Sequence, residues 1–518
     1  MPRTSVDSRA IFRMAITEPT AIDPYRAQEV EGIGITKQIF IGLLQIDAGH
    51  WLVPAVAGAW ECDTEGRIWT FHLRNDVRFS NGEQVDATSF VRGFNRALDP
   101  AAVTETAYHM AGIRGFAEVT SGAAGELAGL RVADQWTLVV ELSEVDFEFD
   151  KKTVQPIFSP VPSVAGPAIN PAYNDQPIGN GPYLMAEPWR HHESITLRRN
   201  SEWFGAPLAA EEIHIEILGQ AQDEYTGFLD GRYDYARVPG ELVVQARARF
   251  EPGDGFLEHD LPGLHYLIPF CHQGPMATLA GRRAVSAAID RDRIAEELFF
   301  NSRRPAHSLV SPWFSDVHVA GLGAPYTNFD PELARECAAD AGLAPGDRLD
   351  FAYNTGAGHD GFVLAIAEQL RTVLRLDVRL RQLTTAGLVA YRTSAQASGI
   401  CRAGWAYDYP TPDNLLFPLL HSSCTASDHE GSAHGDNEGR YVNPAFDLAV
   451  ARARATADEA DRARRWREAE AIAVADMALI PLWYRTEHRV FAADRFADLT
   501  LDFFGNPTLG RMPTHGSG

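Results

Sequence analysis

The sequence is poor in cysteine and lacks long apolar runs, and each deficit excludes a class of protein. Its 518 residues include five cysteines, an odd number without any CxxC pair, which argues against a zinc site. No run of about 18 consecutive apolar residues occurs, so no membrane-spanning helix is expected. Residues 1–16 show neither the apolar core of a signal peptide nor a cysteine for a lipid anchor.

Positive charge is also scarce. Lys and Arg total 46 against 69 Asp and Glu, which gives a formal net charge of −23 and a pI near 5.1. Such a balance argues against nucleic-acid binding, which requires clustered cations. The sequence contains no GxxxxGK[ST] loop, no GxSxG elbow and no recognisable nucleophile–base pair, so neither a nucleotide, a cofactor nor a catalytic site is predicted.

What remains is ordinary globular composition, with 45% hydrophobic residues in a 56.9 kDa chain. The length suggests about three domains. Cys401 and Cys424 flank one loop. They either pair in an oxidising compartment or remain buried thiols.

Residues 67–100 form the most informative segment, RIWTFHLRNDVRFSNGEQVDATSFVRGFNRALDP. Its first part alternates apolar and polar residues, which predicts a strand buried on one face. Asn81-Gly82 predicts a tight turn. Asp86 stands where an N-cap belongs, ahead of a helical run that ends at Asp99-Pro100.

Strand and helix patterns alternate through the rest of the chain, which indicates an α/β architecture with a partly parallel sheet. We expect strands at 348–353, 377–383 and 480–490, and a helix at 361–374. Residues 281–300 predict a single helix.

Five ordered blocks carry a family resemblance: the segment 67–100, GNGPY…RN…WFG (179–205), RRAVSAAIDRDRI (282–294), GWAYDYPTP (404–412) and NPAFDLAVARARAT (443–456). Together they resemble the large extracellular solute-binding proteins of ABC importers, family 5, which includes oligopeptide- and dipeptide-binding proteins. The resemblance implies a periplasmic-binding-protein-like α/β fold, type II in its large three-domain form, with a ligand cleft between two lobes.

The same resemblance implies a discontinuous domain organisation. Lobe I is expected from residues 1–47, 161–262 and 482–518, and a small inserted domain from residues 48–160. Lobe III is expected from residues 263–481, with the chain crossing between lobes near Pro262 and Pro481.

The loop around residues 402–410 combines an acid, aromatic residues, a glycine and prolines. It is similar to the peptide-anchoring loop of oligopeptide-binding proteins, which assigns Asp408 to a ligand ammonium group. Backbone hydrogen bonds are then expected from Gly404 and Ala406, a pocket wall from Trp405 and a carboxylate contact from Arg402. The competing interpretation is that Asp408 only caps the next turn.

Other candidate contacts are expected from Tyr108 in the inserted domain and from a lobe I segment with Gly32, Ile33 and the adjoining Glu31. Arg392 and His359 could meet a ligand carboxylate, although such residues are more often at the surface. Three histidines of one polar loop do not have metal-ligand spacing, and no metal site is predicted; they are His421, His429 and His434.

The expected function is capture of a peptide or peptide-like solute by a monomeric binding protein, which closes over its ligand and delivers it to a membrane permease. A sugar, a guanidino compound, an opine or a metal chelate is the alternative ligand. The family implies an extracytoplasmic location. Because no export signal is recognised, a cytoplasmic enzyme or carrier of a biosynthetic intermediate on this fold is the competing hypothesis.

Overall fold

The computed structural model describes residues 11–47, 49–102, 104–205, 208–219, 222–355, 358–425, 435–497 and 499–509. The chain divides into two compact units, of which the first contains residues 1–259 and 487–518 and the second contains residues 260–486. A further division of the first unit into lobe I and a small domain stays a prediction. Among the described residues, no helix combines the length and the apolar character needed to cross a membrane.

The strands carry the chain through several separate sheets. In chain order they are β1 (Ile11–Thr17), β2 (Leu44–Ile46), β3 (Leu52–Pro54), β4 (Ala57–Cys62), β5 (Ile68–Leu73), β6 (Leu130–Asp134), β7 (Thr137–Glu141), β8 (Tyr183–Met185), β9 (Ser194–Arg199), β10 (Glu212–Leu218), β11 (Tyr235–Arg237), β12 (Glu251–Pro252), β13 (Gly255–Pro269), β14 (Arg348–Asn354), β15 (Asp377–Leu383), β16 (Ile400–Ala406), β17 (Ile480–Phe491), β18 (Thr500–Leu501) and β19 (Pro507–Thr508).

The helices are α1 (Val30–Ile39), α2 (Ala87–Ala97), α3 (Phe116–Thr120), α4 (Phe149–Lys152), α5 (Pro171–Asp175), α6 (Gln222–Leu229), α7 (Val243–Arg249), α8 (Leu279–Ala287), α9 (Arg291–Phe299), α10 (Pro331–Asp340), α11 (Asp360–Val373), α12 (Thr385–Thr393), α13 (Asp413–Leu420), α14 (Pro444–Arg454) and α15 (Glu459–Ala475). Short 3₁₀ turns cover Glu105–Met110, Pro156–Phe158, Ser163–Ala165, Gly240–Leu242, Gly274–Ala277 and Ser422–Cys424.

The first unit is built on two four-stranded sheets. One has the order β1-β10-β9-β8, with β1 parallel to β10 and the other pairs antiparallel. The other is fully antiparallel in the order β4-β5-β7-β6. Alternation explains the second sheet, since Trp69, Phe71 and Leu73 are buried while Ile68 and His72 are exposed.

Helix α2 begins where the sequence predicts. Asp86 and Ser89 form a reciprocal capping box, in which each side chain accepts a backbone N–H of the other at 3.0 Å. The apolar face of α2 buries Phe90 and Phe94 completely. The Asp86 N-cap and the strand–turn–helix pattern of residues 67–100 are therefore confirmed.

The GNG block packs against the end of α1. Asn180 is buried, and its side-chain amide accepts the N–H of Ile41 at 3.1 Å and donates to the Ile41 carbonyl at 3.0 Å. A Cβ on Gly179 would lie 2.0 Å from the Ile39 carbonyl oxygen, and one on Gly181 would lie 2.6 Å from the Ile39 carbonyl carbon. Both glycines are thus required by close approach of two backbones.

The second unit has a mixed sheet, in which β13 pairs antiparallel with β16, β16 pairs parallel with β14, and β14 pairs parallel with β15. Helix α11 makes the crossover from β14 to β15. The predicted strands and the predicted helix of this region are confirmed. Their apolar faces meet in one core around Phe351, Ile366 and Trp483, all of which have no accessible surface.

The prediction of a single helix over residues 281–300 is wrong, because the segment contains two helices, α8 and α9. Asp290 separates them by accepting the Arg293 N–H at 3.0 Å as the N-cap of α9. Arg291 is buried and donates to the carbonyls of Ser286, Ile289 and Thr327 and, at 2.7 Å, to that of Pro481. Its guanidinium therefore satisfies carbonyls at the end of α8 and ties the helix break to β17.

The cysteines are free thiols. Cys401 and Cys424 are both buried, and neither forms a disulfide. The sequence left open whether these two cysteines pair or remain buried thiols, and in the structure they are buried thiols. Burial raises the pKa of both thiols to about 12, so they are unreactive at neutral pH.

Candidate functional site

The segment predicted as a ligand loop, residues 402–410, is a strand in its first half: residues 402–406 belong to β16, and only the remainder is loop. Two backbone hydrogen bonds of 3.1 Å lie at the two ends of the pairing between β16 and β13. The Tyr407 N–H donates to the Pro262 carbonyl, and the Phe270 N–H donates to the Gly399 carbonyl. In this antiparallel register the odd-numbered residues of β16 therefore direct their backbone groups toward β13. The backbone N–H and C=O of Gly404 and Ala406 consequently point to the opposite edge.

That opposite edge is only partly covered. Strand β14 pairs with β16 only at Ile400 and Cys401 of β16. No described strand pairs with residues 403–406 on this side. Gly404 and Ala406 are exposed. The end of β16 therefore offers backbone groups to which an extended chain can add as a further strand.

Asn414 holds the loop that follows β16. It has no accessible surface, and its side-chain oxygen accepts the Asp408 N–H at 2.7 Å and the Trp405 indole N–H at 3.0 Å. Its amide nitrogen donates to the Asp408 carboxylate at 3.2 Å. Trp405 and Asp408 are both part-buried, so one buried amide fixes the positions of an indole and an acid.

Residues around this loop restrict its movement further. Asp413, at the start of α13, accepts two hydrogen bonds from Arg454 at 2.6 and 2.9 Å. The Tyr409 hydroxyl donates to the same carboxylate at 3.2 Å, and Tyr407 and Tyr409 are each 2% exposed. Such packing restricts the conformations that Asp408 can adopt.

A cationic group lies beside Gly404. A Cβ on Gly404 would lie 3.2 Å from Nδ1 of His265 and 3.7 Å from a terminal nitrogen of Arg402. The pKa of His265 lies well below its usual value. Burial is the largest cause, and the neighbouring side chains of Arg303, Arg485, Arg402 and His359 act in the same direction. These residues therefore share one electrostatic environment with an excess of positive charge.

The pKa values of His359 and Arg402 are also lowered. Burial, followed by Arg402 and Arg303, lowers the pKa of His359 to about 4. Burial and the neighbouring Arg392 lower the pKa of Arg402 to about 10, so its guanidinium stays charged at neutral pH. Three buried nitrogens here lack a hydrogen-bond partner among the described residues: Nδ1 of His265, Nδ1 of His359 and Nε of Arg402. The Arg402 N–H requires an acceptor, and each histidine nitrogen either donates or accepts according to its tautomer.

The structure thus brings together the predicted residues Arg402, Gly404, Trp405, Ala406 and Asp408. It also adds residues that the sequence analysis missed, namely His265, Arg303, Asn354 and Asn414. Arg402 donates to the Asn354 side chain at 3.4 Å. The position of Asn414 six residues after Asp408 was visible in the sequence, whereas the approach of His265 depends on the strand register.

Arg392 has a carboxylate partner within the second unit, and its contact with a ligand stays a prediction. It pairs with Glu438 at 3.2 Å, and burial raises the pKa of Glu438 to about 7. Since this arginine already has a carboxylate partner, its contact with a ligand is not required to satisfy its charge.

The remaining predicted residues lie at two places in the first unit. Tyr108 is in the turn Glu105–Met110, with its ring 4.1 Å from that of His109. Gly32 and Ile33 are buried in α1, where Ile33 N–H donates to the Glu29 carbonyl and a Cβ on Gly32 would lie 2.5 Å from the Ala21 carbonyl oxygen. Packing alone explains these two residues, and their contact with a ligand stays a prediction.

Glu31 lies in the same turn of α1 and forms an ion pair with Arg237 at 3.3 Å. No group of three potential ligands able to hold a metal ion is found in the part of the chain that the structure describes. His429 and His434, considered above with His421, lie outside the described residues.

Comparison with known proteins identifies the class. The chain resembles the structure of the murein tripeptide binding protein MppA of Escherichia coli. The TM-score is 0.78 and the sequence identity is 24%, and the match covers 97% of this chain and 96% of the other. The fold is therefore the two-lobed fold of the large periplasmic binding proteins, as predicted. The family model for bacterial extracellular solute-binding proteins, family 5 (middle region), matches residues 52–427, and the chain belongs to this family.

Curated relatives extend over almost the whole chain. The periplasmic oligopeptide-binding protein OppA of Salmonella typhimurium is 26% identical over 500 residues, which cover 93% of this chain and 88% of that protein. The periplasmic murein peptide-binding protein MppA of Escherichia coli is 25% identical over 500 residues, covering 93% and 89%. The family resemblance drawn from the five sequence blocks is confirmed.

Proposed function

We propose that this protein is the substrate-binding component of an ABC importer and that its ligand is a short peptide with free termini. It acts outside the cytoplasm as a monomer, binds its ligand reversibly and presents it to a membrane permease. The relatives named for oligopeptides and murein peptides support the ligand class. No covalent step is required of any residue at the site.

One observation carries the peptide assignment: an open strand edge lies between an acid and a cationic group. Asp408 follows the C-terminal end of β16, and Arg402 lies near its other end, with Gly404 and Ala406 between them. A peptide in extended conformation has an ammonium group, a series of backbone donors and acceptors, and a carboxylate in the same order. Each part of the site therefore has a complementary part in such a ligand.

The length of the strand that precedes Asp408 also suggests a ligand length. At roughly 3.3 Å per residue, the strand from Arg402 to Ala406 covers about 13 Å. An extended peptide of about four residues covers a similar distance. We infer that short oligopeptides are preferred over single amino acids, which could not reach both charged ends.

Native mass spectrometry of the purified protein tests this function. We expect a bound species of peptide mass that is released unchanged on denaturation, and calorimetry should show preferential binding of short peptides with free termini. Recovery of a chemically altered ligand would support the enzyme hypothesis instead. Tight binding of an uncharged sugar, with peptides unable to compete, would overturn the peptide assignment.

A further inference from the structure

The first unit contains a second candidate site, separate from every residue assigned above to ligand binding. A cavity of about 170 Å³ lies beside α1. Aromatic side chains form much of its wall: Phe40, Tyr183, Trp203, Phe204, Phe503 and Phe504. Since an apolar cavity of roughly 150 Å³ accepts benzene, this space accommodates a single ring with a short substituent.

One cation lines this aromatic cavity. The Lys37 ammonium lies 4.3 Å from the centre of the Phe504 ring and donates to the Val154 carbonyl at 3.2 Å. An ammonium group has three donors, so two of them have no hydrogen-bond acceptor among the described residues. Lys37 thus retains hydrogen-bonding capacity inside a largely apolar space.

The other lysines of the chain show how unusual this environment is. The sequence contains three lysines, and Lys151 and Lys152 contact the carboxylates of Glu148 and Asp146 at 2.8 and 2.6 Å. No described carboxylate lies within ion-pairing distance of Lys37. Lys37 is part-buried, so its ammonium group loses part of its hydration without gaining a close anion, and a bound anion would compensate for that loss.

Asp502 also lines the cavity, but its oxygens are used within its own turn. It accepts the backbone N–H groups of Phe504 at 2.9 Å and Asn506 at 2.8 Å, and the Asn506 side-chain amide at 3.4 Å. Burial raises the pKa of Asp502 and lowers the pKa of Lys37 to about 8, while their mutual attraction opposes both shifts. At neutral pH the Lys37 ammonium therefore remains mostly charged.

We propose that this cavity binds a small aromatic carboxylate. The ring lies among the aromatic side chains, and the carboxylate accepts charge-assisted hydrogen bonds from Lys37. This binding is independent of the peptide site, because none of the peptide-binding residues lines the cavity.

Phenylacetate is a suitable probe, with phenylacetamide as its uncharged isostere. In this 518-residue protein, labelled with ¹³C at the lysine side-chain carbon next to nitrogen, the three lysines give three assignable resonances. We expect phenylacetate to shift the Lys37 resonance and to raise the pKa of Lys37 by about one unit or more, because an opposite charge favours the ammonium form. Phenylacetamide should bind much more weakly.

The Lys37→Met variant should reduce phenylacetate affinity by roughly tenfold or more while peptide affinity is unchanged. Lys151→Met is the matched control and should bind phenylacetate like the unmodified protein. If Lys37→Met is poorly folded, the double variant Lys37→Met with Asp502→Asn removes both charges and should fold, again without phenylacetate binding. Equal binding of phenylacetamide, unchanged binding by a folded Lys37 variant, or no binding of phenylacetate at millimolar concentration would each overturn the proposal.

Discussion

Asp408 and Asn414 hold each other by two hydrogen bonds. The Asp408 N–H donates to the Asn414 side-chain oxygen at 2.7 Å, and the Asn414 amide donates to the Asp408 carboxylate at 3.2 Å. The acid thus has a structural partner in the following helix and, under the proposed function, a ligand partner as well. Substitutions at the two residues separate these roles.

The Asp408→Asn variant should lose affinity for a peptide with a free amino terminus by roughly 30-fold or more, since a charge-assisted contact costs about 2–5 kcal/mol when removed. Asparagine keeps an oxygen that can accept from Asn414. An N-acetylated peptide should bind poorly to the unmodified protein and be weakened little further by the variant. Calorimetry on both peptides measures the difference; equal losses for the two would assign Asp408 to loop capping alone.

The Arg402→Met variant tests the other end of the ligand. Affinity for a peptide with a free carboxylate should fall by about tenfold or more, whereas its C-terminal amide should be affected little. Arg293→Met, at a side chain that is 66% exposed, is the matched control. If the amide and the acid bind equally well to the unmodified protein, the cationic group does not recognise a carboxylate.

Peptide binding should be accompanied by proton uptake at mildly acidic pH. His359 has its pKa lowered to about 4 in the unliganded protein by burial and by Arg402 and Arg303. A bound carboxylate opposes these effects and should raise that pKa. Affinity should therefore increase as the pH falls from neutrality toward the unliganded pKa. Calorimetry in buffers of different ionisation enthalpy measures the protons taken up, and uptake should be smaller in His359→Asn; unchanged uptake in that variant would assign the protons to other groups.

Asn414→Ala should lower the free energy of unfolding by about 1–3 kcal/mol, because it leaves two part-buried donors without their acceptor. Those donors are the Trp405 indole and the Asp408 amide. Asn414→Asp keeps an acceptor for both donors but places a second carboxylate beside Asp408. Denaturant unfolding should therefore show a smaller loss in Asn414→Asp at low pH than at neutral pH. The same loss at both values would mean that the two carboxylates do not interact.

Glu470 should make the protein less stable as the pH rises. It has no accessible surface and accepts the N–H groups of Leu309 and Val310 at 2.8 and 2.7 Å, and burial raises its pKa from 4.5 to about 7. Because the folded state binds its proton more tightly than the unfolded state, stability is greatest below the unfolded pKa. It falls as the pH rises, until the carboxyl has ionised in the folded state as well.

Glu470→Gln retains the accepting oxygen and removes this ionisation. The variant should therefore exceed the unmodified protein in stability by about 3 kcal/mol near pH 8, and the two should differ little near pH 4.5. Denaturant unfolding at both pH values measures the difference, in which the contributions of all other groups cancel. Glu459→Gln, at a side chain that is 86% exposed, should show no such dependence.

The sequence by itself determined the local structure wherever one short segment contains the whole signal. The capping box of Asp86 and the alternating strand of residues 68–73 are of this kind, because their hydrogen bonds or periodicity involve neighbours along the chain. The single-helix prediction for residues 281–300 failed because Arg291 stabilises the break through carbonyls that include those of Thr327 and Pro481, which are distant in sequence.

For the same reason the sequence indicated the anchoring loop but only part of its surroundings. Asp408 and Arg402 could be assigned from their segment, whereas the tertiary structure decided which nitrogens lie beside Gly404 and which edge of β16 remains open. Register between β13 and β16 places His265 there, and register is set by packing of entire faces. The Lys37 cavity likewise exists only because segments around residues 37, 154, 203 and 504 are folded against one another.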